Sequence, residues 1–230
     1  MQRPGRQHAN VKNIEIIAAI LVKTEEELIK QIEAVKPFLK TVQIDIMDND
    51  FVPNKTIGLE QLAHLPSGVN YEFHWMVQNP EKWISELAKS FKGGLHLVHV
   101  EAKMDFEQVK NAVAEIKGKL GIAFNPETPV NKVLEFAKET DYILAMTVHP
   151  GFSGQKYISD VEQKIKAIRE QCPDHDIEVD GGINITTVKK AVEAGANKIV
   201  AASAIFGQSN VALAIKDLQR AAVAGRKAWL

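Results

Sequence analysis

The chain has 230 residues, 45% hydrophobic and 25% charged, with a formal net charge of −1 at pH 7. Near-neutrality argues against a broad electrostatic nucleic-acid footprint, which needs a surplus of Lys and Arg, and no apolar run is long enough to span a bilayer. Cys172 is the single cysteine, so no intramolecular disulfide can form, which fits a reducing, cytoplasmic setting.

The first 13 residues, MQRPGRQHANVKN, carry Arg3, Arg6 and Lys12 and no acid. They lack the apolar stretch of a secretory signal and are read as a disordered tail, leaving residues 14–230 as one domain. Short apolar runs then alternate with amphipathic stretches. The run at 14–21 leads to a helical pattern at 24–35, with Thr24 as N-cap and acids in the first turn. In the second run, 42–47, Val42, Ile44 and Ile46 share one face while Gln43, Asp45 and Met47 share the other, because strand side chains alternate. Only 58–64 offers a helix in that second unit. The strand at 69–76 precedes a helix at 80–91, with Asn79 as cap and Pro80 at the first helical position. The remaining strand–helix pairs are 94–100 with 105–119, 121–125 with 129–138, 142–148 with 159–171, 176–180 with 186–194, and 198–202 with 210–224.

Strands alternating with helices pair in parallel through right-handed crossovers. Eight units spaced by about 27 residues predict a single closed (β/α)8 TIM barrel. A doubly wound open sheet is the alternative, and no GxGxxG follows the first strand. In a barrel the active site lies at the C-terminal ends of the strands. The polar residues there are Asp45 and Asp48 on strand two, His74 on three, His99 and Glu101 on four, and Asn125 on five. The loop 149–155 follows strand six, Asp180-Gly181-Gly182 ends strand seven, and Ser203 follows strand eight. By residue type alone, Asp45 and Asp180 also suit caps or turns, His74 a satisfied core histidine, and Met47, Met76 and Met146 plain core. His99 and Glu101 are read as structural. Glu72 and Glu178 fall inside the barrel, where Lys198 is expected to offset the cost of burying them. Cys172 is read as inert.

The segments DIMDNDFVPN (45–54), FHWM (73–76), HVEA (99–102), FNPETPV (124–130), MTVHPGFSGQ (146–155), EVDGGI (178–183) and SAIFG (203–207) occur in a recognisable order and spacing. From strand two to strand eight they resemble the ribulose-phosphate 3-epimerase family. The resemblance implies a barrel that inverts carbon 3, interconverting D-ribulose 5-phosphate and D-xylulose 5-phosphate in pentose phosphate metabolism. One carboxylate removes the proton beside the carbonyl, a divalent metal stabilises the enediolate oxygens, and a second carboxylate returns a proton on the opposite face.

The resemblance assigns Asp45 and Asp180 as the catalytic pair, and Asp45, His74 and Asp180 as metal ligands. Gln43 stands where the family has its other metal-binding histidine. One divalent ion is implied, zinc, iron, manganese or cobalt; an amide in place of an imidazole shifts the balance toward harder ions such as manganese or magnesium. Gly151, Phe152, Gly154, Gly181, Gly182, Ala202 and Ser203 correspond to the phosphate site, where backbone N–H groups and a short helix starting near Ala204 suit an anion. Ala19, Met47, Met76, Met146 and His149 correspond to the substrate lining, the methionines giving a dry, polarisable cover.

The chain departs from the family pattern at Ala19 (usually Ser), Asn49 (Gly), His149 (Asn) and Ala202 (Gly), besides Gln43. These departures raise an alternative: another phosphosugar, or a phosphosugar binder without catalysis. Decarboxylases and aldolase-like synthases of the same superfamily use Asp-x-Lys-x-x-Asp, and here Met47 stands in the Lys position. The implied partners are a small phosphorylated sugar and further copies of the chain, as a dimer or hexamer, with no nucleic acid or membrane.

Overall fold

In the computed structural model residues 12–226 are described. Their eight strands pair in parallel and close in sequence order, so the fold is the single (β/α)8 TIM barrel expected from the alternation. The strands are β1 Glu15–Ile20, β2 Thr41–Met47, β3 Asn70–Met76, β4 Leu95–His99, β5 Lys119–Phe124, β6 Tyr142–Met146, β7 Asp176–Asp180 and β8 Lys198–Ala201. The helices are α1 Glu25–Val35, α2 Pro80–Leu87, α3 Phe106–Glu115, α4 Val130–Ala137, α5 Val161–Gln171, α6 Thr187–Ala194, α7 Ser203–Phe206 and α8 Val211–Gly225.

The two faces of β2 separate as its alternation dictates. Val42, Ile44 and Ile46 join Leu28, Ile32 and Val35 of α1 in the apolar layer between sheet and helices. On the inner face, register sets Gln43 beside Ala19 and Glu72, Asp45 beside His74, and Met47 beside Met76. Leu95, Leu97, Ala123, Leu144 and Met146 fill the barrel centre. Leu97 needs a glycine opposite it: a Cβ on Gly121 would lie 2.6 Å from Leu97 Cδ2.

Local signals at the helix starts act differently from one another. Thr24 Oγ1 accepts from the Glu27 N–H at 3.2 Å, as a capping side chain should. Asn79 instead turns the chain by adopting a left-handed conformation (φ 51°, ψ 55°), and its side chain makes no cap bond. The second unit has no α-helix, only the 3-10 turn Gln61–His64. The tail expected over residues 1–13 lies outside the described residues apart from Lys12 and Asn13, and Lys12 Nζ sits 3.1 Å from Asp176 Oδ1. No helix among the described residues is long and apolar enough to cross a membrane.

The offset expected of Lys198 reaches Glu72 and Glu178 through its field, while its direct ion pair goes elsewhere. Register places Lys198 between Glu15 of β1 and Glu178 of β7, and its Nζ forms its ion pair with Glu15 Oε2. Glu72 accepts from the Tyr142 hydroxyl at 3.1 Å. Burial pushes its carboxyl up to about 7, against the opposing field of Lys198. Burial, reinforced by Glu72 and Asp180, also raises Glu178 well above the ordinary carboxylate range. A carboxyl removed from water with no cation bonded to it is cheaper to bury neutral.

Candidate active site

Three strand ends bring their polar side chains together. Asp45 of β2, His74 of β3 and Asp180 of β7 place one ligand atom each within 4.8 Å of one another. His74 Nδ1 lies 3.0 Å from Asp45 Oδ1 and 3.8 Å from Asp180 Oδ2. His74 is 0% exposed and Asp45 6%. Burial, then the charge of Asp45, pushes the Asp180 carboxyl up to about 7, although His74 and Gln43 pull it down. Crowded carboxylates with a perturbed pKa mark a place where a cation or a proton relieves repulsion. One imidazole and two carboxylates, with room for further ligands, fit a divalent metal ion.

Gln43, 0% exposed, lies at the same level. Its Nε2 donates to Asp45 Oδ1 at 3.0 Å and to Asp180 Oδ2 at 2.7 Å, while its Oε1 is buried without a hydrogen-bond partner. The amide therefore bridges the two carboxylates with N–H groups, which cannot ligate a metal. Turned over, it would offer an oxygen at the cost of both bonds.

One pocket contains Asp45, His74 and Asp180 together with Ala19, Met47, Met76 and Met146, and with Gly151, Phe152, Gly154, Gly181, Gly182, Ala202 and Ser203. The end of β7 requires its two glycines. Gly181 and Gly182 have φ of 118° and 63°, and a Cβ on either would come within 2.5 Å of Val148 or of the Tyr157 backbone. Ala202 has φ −107°, so its backbone does not call for glycine. Asn49 has φ 66°, a left-handed conformation that asparagine tolerates better than most residues. Asp48 shapes the loop rather than the pocket: it accepts from the Asp50 and Phe51 N–H groups at 2.8 Å and from Gln78 N–H at 2.7 Å.

His149 lies outside this pocket lining. It is exposed, with Nδ1 3.3 Å from Glu127 Oε1. Its loop is held by backbone carbonyls, Gln155 Nε2 donating to His149 O at 2.6 Å and Asn54 Nδ2 to Gly151 O at 2.6 Å. Leu21, Val148, Ser153, Gln155 and Ile183 join the lining; Ser153 and Gln155 belong to the 149–155 loop already picked out, while Leu21, Val148 and Ile183 are apolar and carried no chemical signal of their own.

The sequence reading also missed what stands behind His74. His74 Nε2 lies 2.8 Å from His99 Nε2, and His99 Nδ1 lies 3.1 Å from Glu101 Oε2. Burial lowers the His99 imidazole to about 4, despite Glu101. Burial pushes Glu101 upward, but bonds from His99, Thr128 and Asn125 more than offset it and hold the carboxyl below its ordinary value. The available signal was the His-x-Glu alternation ending β4, next to a strand bearing His74.

A sequence model described as the Ribulose-phosphate 3 epimerase family matches residues 15–206. The chain is 37% identical over 185 residues to the ribulose-phosphate 3-epimerase of Bacillus subtilis (strain 168), across 77% of this chain and 85% of that one. It is 36% identical over 214 residues to the ribulose-phosphate 3-epimerase of Methanocaldococcus jannaschii, across 90% and 89%. Among solved structures, 3-hexulose-6-phosphate synthase from Salmonella typhimurium superposes with a TM-score of 0.69 at 15% identity, covering 93% of this chain and 100% of that one; at such low identity the likeness shows the fold alone.

Proposed function

Because the chain belongs to the ribulose-phosphate 3-epimerase family and is an isomerase of the epimerase type, we propose that it interconverts D-ribulose 5-phosphate and D-xylulose 5-phosphate. The observation that carries this reading is the pair Asp45 and Asp180, two largely buried carboxylates from β2 and β7 that share one pocket with His74. Inversion at carbon 3 needs a base on one face of the sugar and an acid on the other. Asp45 and Asp180 come to the pocket from β2 and β7, separated by β1 and β8 around the barrel. The one that is ionised takes the carbon 3 proton, and the other returns a proton to the opposite face.

A divalent ion held by Asp45, His74 and Asp180 would act as a Lewis acid toward the sugar oxygens. Gln43 orients both carboxylates through its N–H groups. Met47, Met76 and Met146 keep water from the reacting carbons. The backbone amides around Gly151, Gly154, Gly181, Gly182 and Ser203 receive the phosphate. Assembly into a homo-oligomer goes with this reading, and light scattering of the purified chain decides it.

To test the activity, protein supplied in turn with zinc, manganese, iron and cobalt is given ribulose 5-phosphate. Xylulose 5-phosphate formation and uptake of solvent deuterium at carbon 3 are both followed. Absence of both under every ion sinks the proposal. The amide bridge of Gln43 favours a second reading, a phosphosugar-binding homologue without epimerisation. Tight binding of ketose phosphates by metal-free protein, with no exchange at carbon 3, would select it.

A further inference from the structure

We propose that Glu101 and His99 are positioning residues for the metal site, holding His74 with its proton on Nε2 and a bare Nδ1 turned toward Asp45 and Asp180. This rests on the reading of Asp45, His74 and Asp180 as metal ligands. Side chains from neighbouring strands form one line of contacts. His74 Nδ1 meets Asp45 Oδ1 at 3.0 Å, the two Nε2 atoms of His74 and His99 meet at 2.8 Å, and His99 Nδ1 meets Glu101 Oε2 at 3.1 Å. Both rings are 0% exposed.

Three contacts need three protons, but two neutral imidazoles supply only two, and an ionised carboxylate at either end can only accept. One contact must therefore go without, and the far end decides which. Glu101 Oε1 accepts from the Asn125 N–H at 3.0 Å and from the Thr128 hydroxyl, so this carboxylate is committed as an acceptor and Oε2 takes the His99 Nδ1 proton. Buried His99 is then bare at Nε2, and the 2.8 Å approach of the two ring nitrogens, the shortest contact in the line, is a hydrogen-bond distance that places the His74 proton on Nε2. The contact left without a proton is the one at Asp45. There a nitrogen lone pair faces a carboxylate oxygen at 3.0 Å, with Asp180 Oδ2 at 3.8 Å. Such an arrangement of acceptors is favourable only around a cation. Metal-ligating histidines generally donate their other ring N–H to an acceptor that fixes their orientation. In this chain the acceptor is a second histidine, and the carboxylate stands one step further out.

Glu101→Gln tests the idea because it changes the polarity of the line with almost no change of shape. The glutamine oxygen must take the Asn125 N–H, so its NH2 faces His99 Nδ1. Every bond then reverses, and His74 Nδ1 becomes a donor to Asp45. Cobalt(II) affinity, titrated by visible absorption on metal-stripped protein, is expected to fall by about 10- to 100-fold. Glu101→Asp, which keeps an acceptor, should recover part of the loss. In metal-free protein at about pH 8, well above the ordinary histidine range, 15N NMR of the ring nitrogens should show His99 protonated on Nδ1 in the wild type and on Nε2 in Glu101→Gln. Unchanged cobalt affinity in Glu101→Gln overturns the proposal, as does a wild-type His99 protonated on Nε2. The wild-type spectrum suffices if Glu101→Gln does not fold. If the wild type itself binds no cobalt, the metal-site reading fails, while the His99 tautomer separately decides the polarity of the line.

Discussion

Gln43→His should tighten divalent-metal binding, by an amount that follows from the bonds Gln43 now makes. Its Nε2 donates to Asp45 Oδ1 at 3.0 Å and to Asp180 Oδ2 at 2.7 Å. An ion entering between those oxygens displaces both donors or forces the amide to turn over. A hydrogen bond to a charged acceptor is worth roughly 1.5–3 kcal/mol. Taking the low end for each, the competition comes to about 3 kcal/mol, or about 100-fold in affinity at about 1.4 kcal/mol per decade. Histidine at this inward position of β2 removes the competing donors and adds a nitrogen ligand. Gln43→Ala removes the donors alone and should give part of the gain. Calorimetric titration with zinc or manganese against a competing chelator measures the affinities, and elemental analysis of the purified proteins gives occupancy. If Gln43→His folds normally yet binds no tighter than the wild type, the amide bridge does not compete with the metal and the reasoning is wrong.

Asp180→Asn should lower turnover by about 100-fold or more, the usual scale of a lost acid–base group, while ketose-phosphate binding by calorimetry stays within a few-fold; unimpaired turnover would remove Asp180 from the mechanism. His149→Ala should leave KM nearly unchanged, because an exposed pair with Glu127 contributes about 0–1 kcal/mol, and a large rise in KM would bring His149 back into the site. Glu72 supplies a pH test of stability. Its carboxyl is raised from 4.5 to about 7, chiefly by burial, so between those values the folded chain holds a proton that the unfolded chain releases. Stability therefore falls as pH rises from about 4.5 to about 7 and is level above, a cost of about 3 kcal/mol at about 1.4 kcal/mol per pKa unit. Glu72→Gln should raise the calorimetric Tm by several degrees at pH 8 and far less at pH 5; equal shifts at both would show that Glu72 is not protonated in the fold.

Much of the architecture was legible in the chain because it follows from short-range periodicity. Alternation along β2 separates Val42, Ile44 and Ile46 from Gln43, Asp45 and Met47 whatever surrounds the strand. The repeated change from strand to helix period implies parallel pairing and, repeated often enough, closure. Asp45, His74 and Asp180 stood out as polar groups at strand ends, and the segments around them carried the family resemblance. Tertiary structure decided which of these groups meet. Gln43 reaches Asp180 across 137 positions of sequence, a contact that exists only because the barrel closes between β1 and β8. Register sets Lys198 between Glu15 and Glu178; its Nζ turns to Glu15 and Glu72 is left with Tyr142, a choice that charge alone did not predict. His149 sits outside the pocket in a loop held through its backbone carbonyls, and His74 meets His99 because β3 and β4 are neighbours. Spacing of 2 or 3.6 residues says where a side chain points on its own element. What it points at depends on register and closure, which couple residues far apart in the chain.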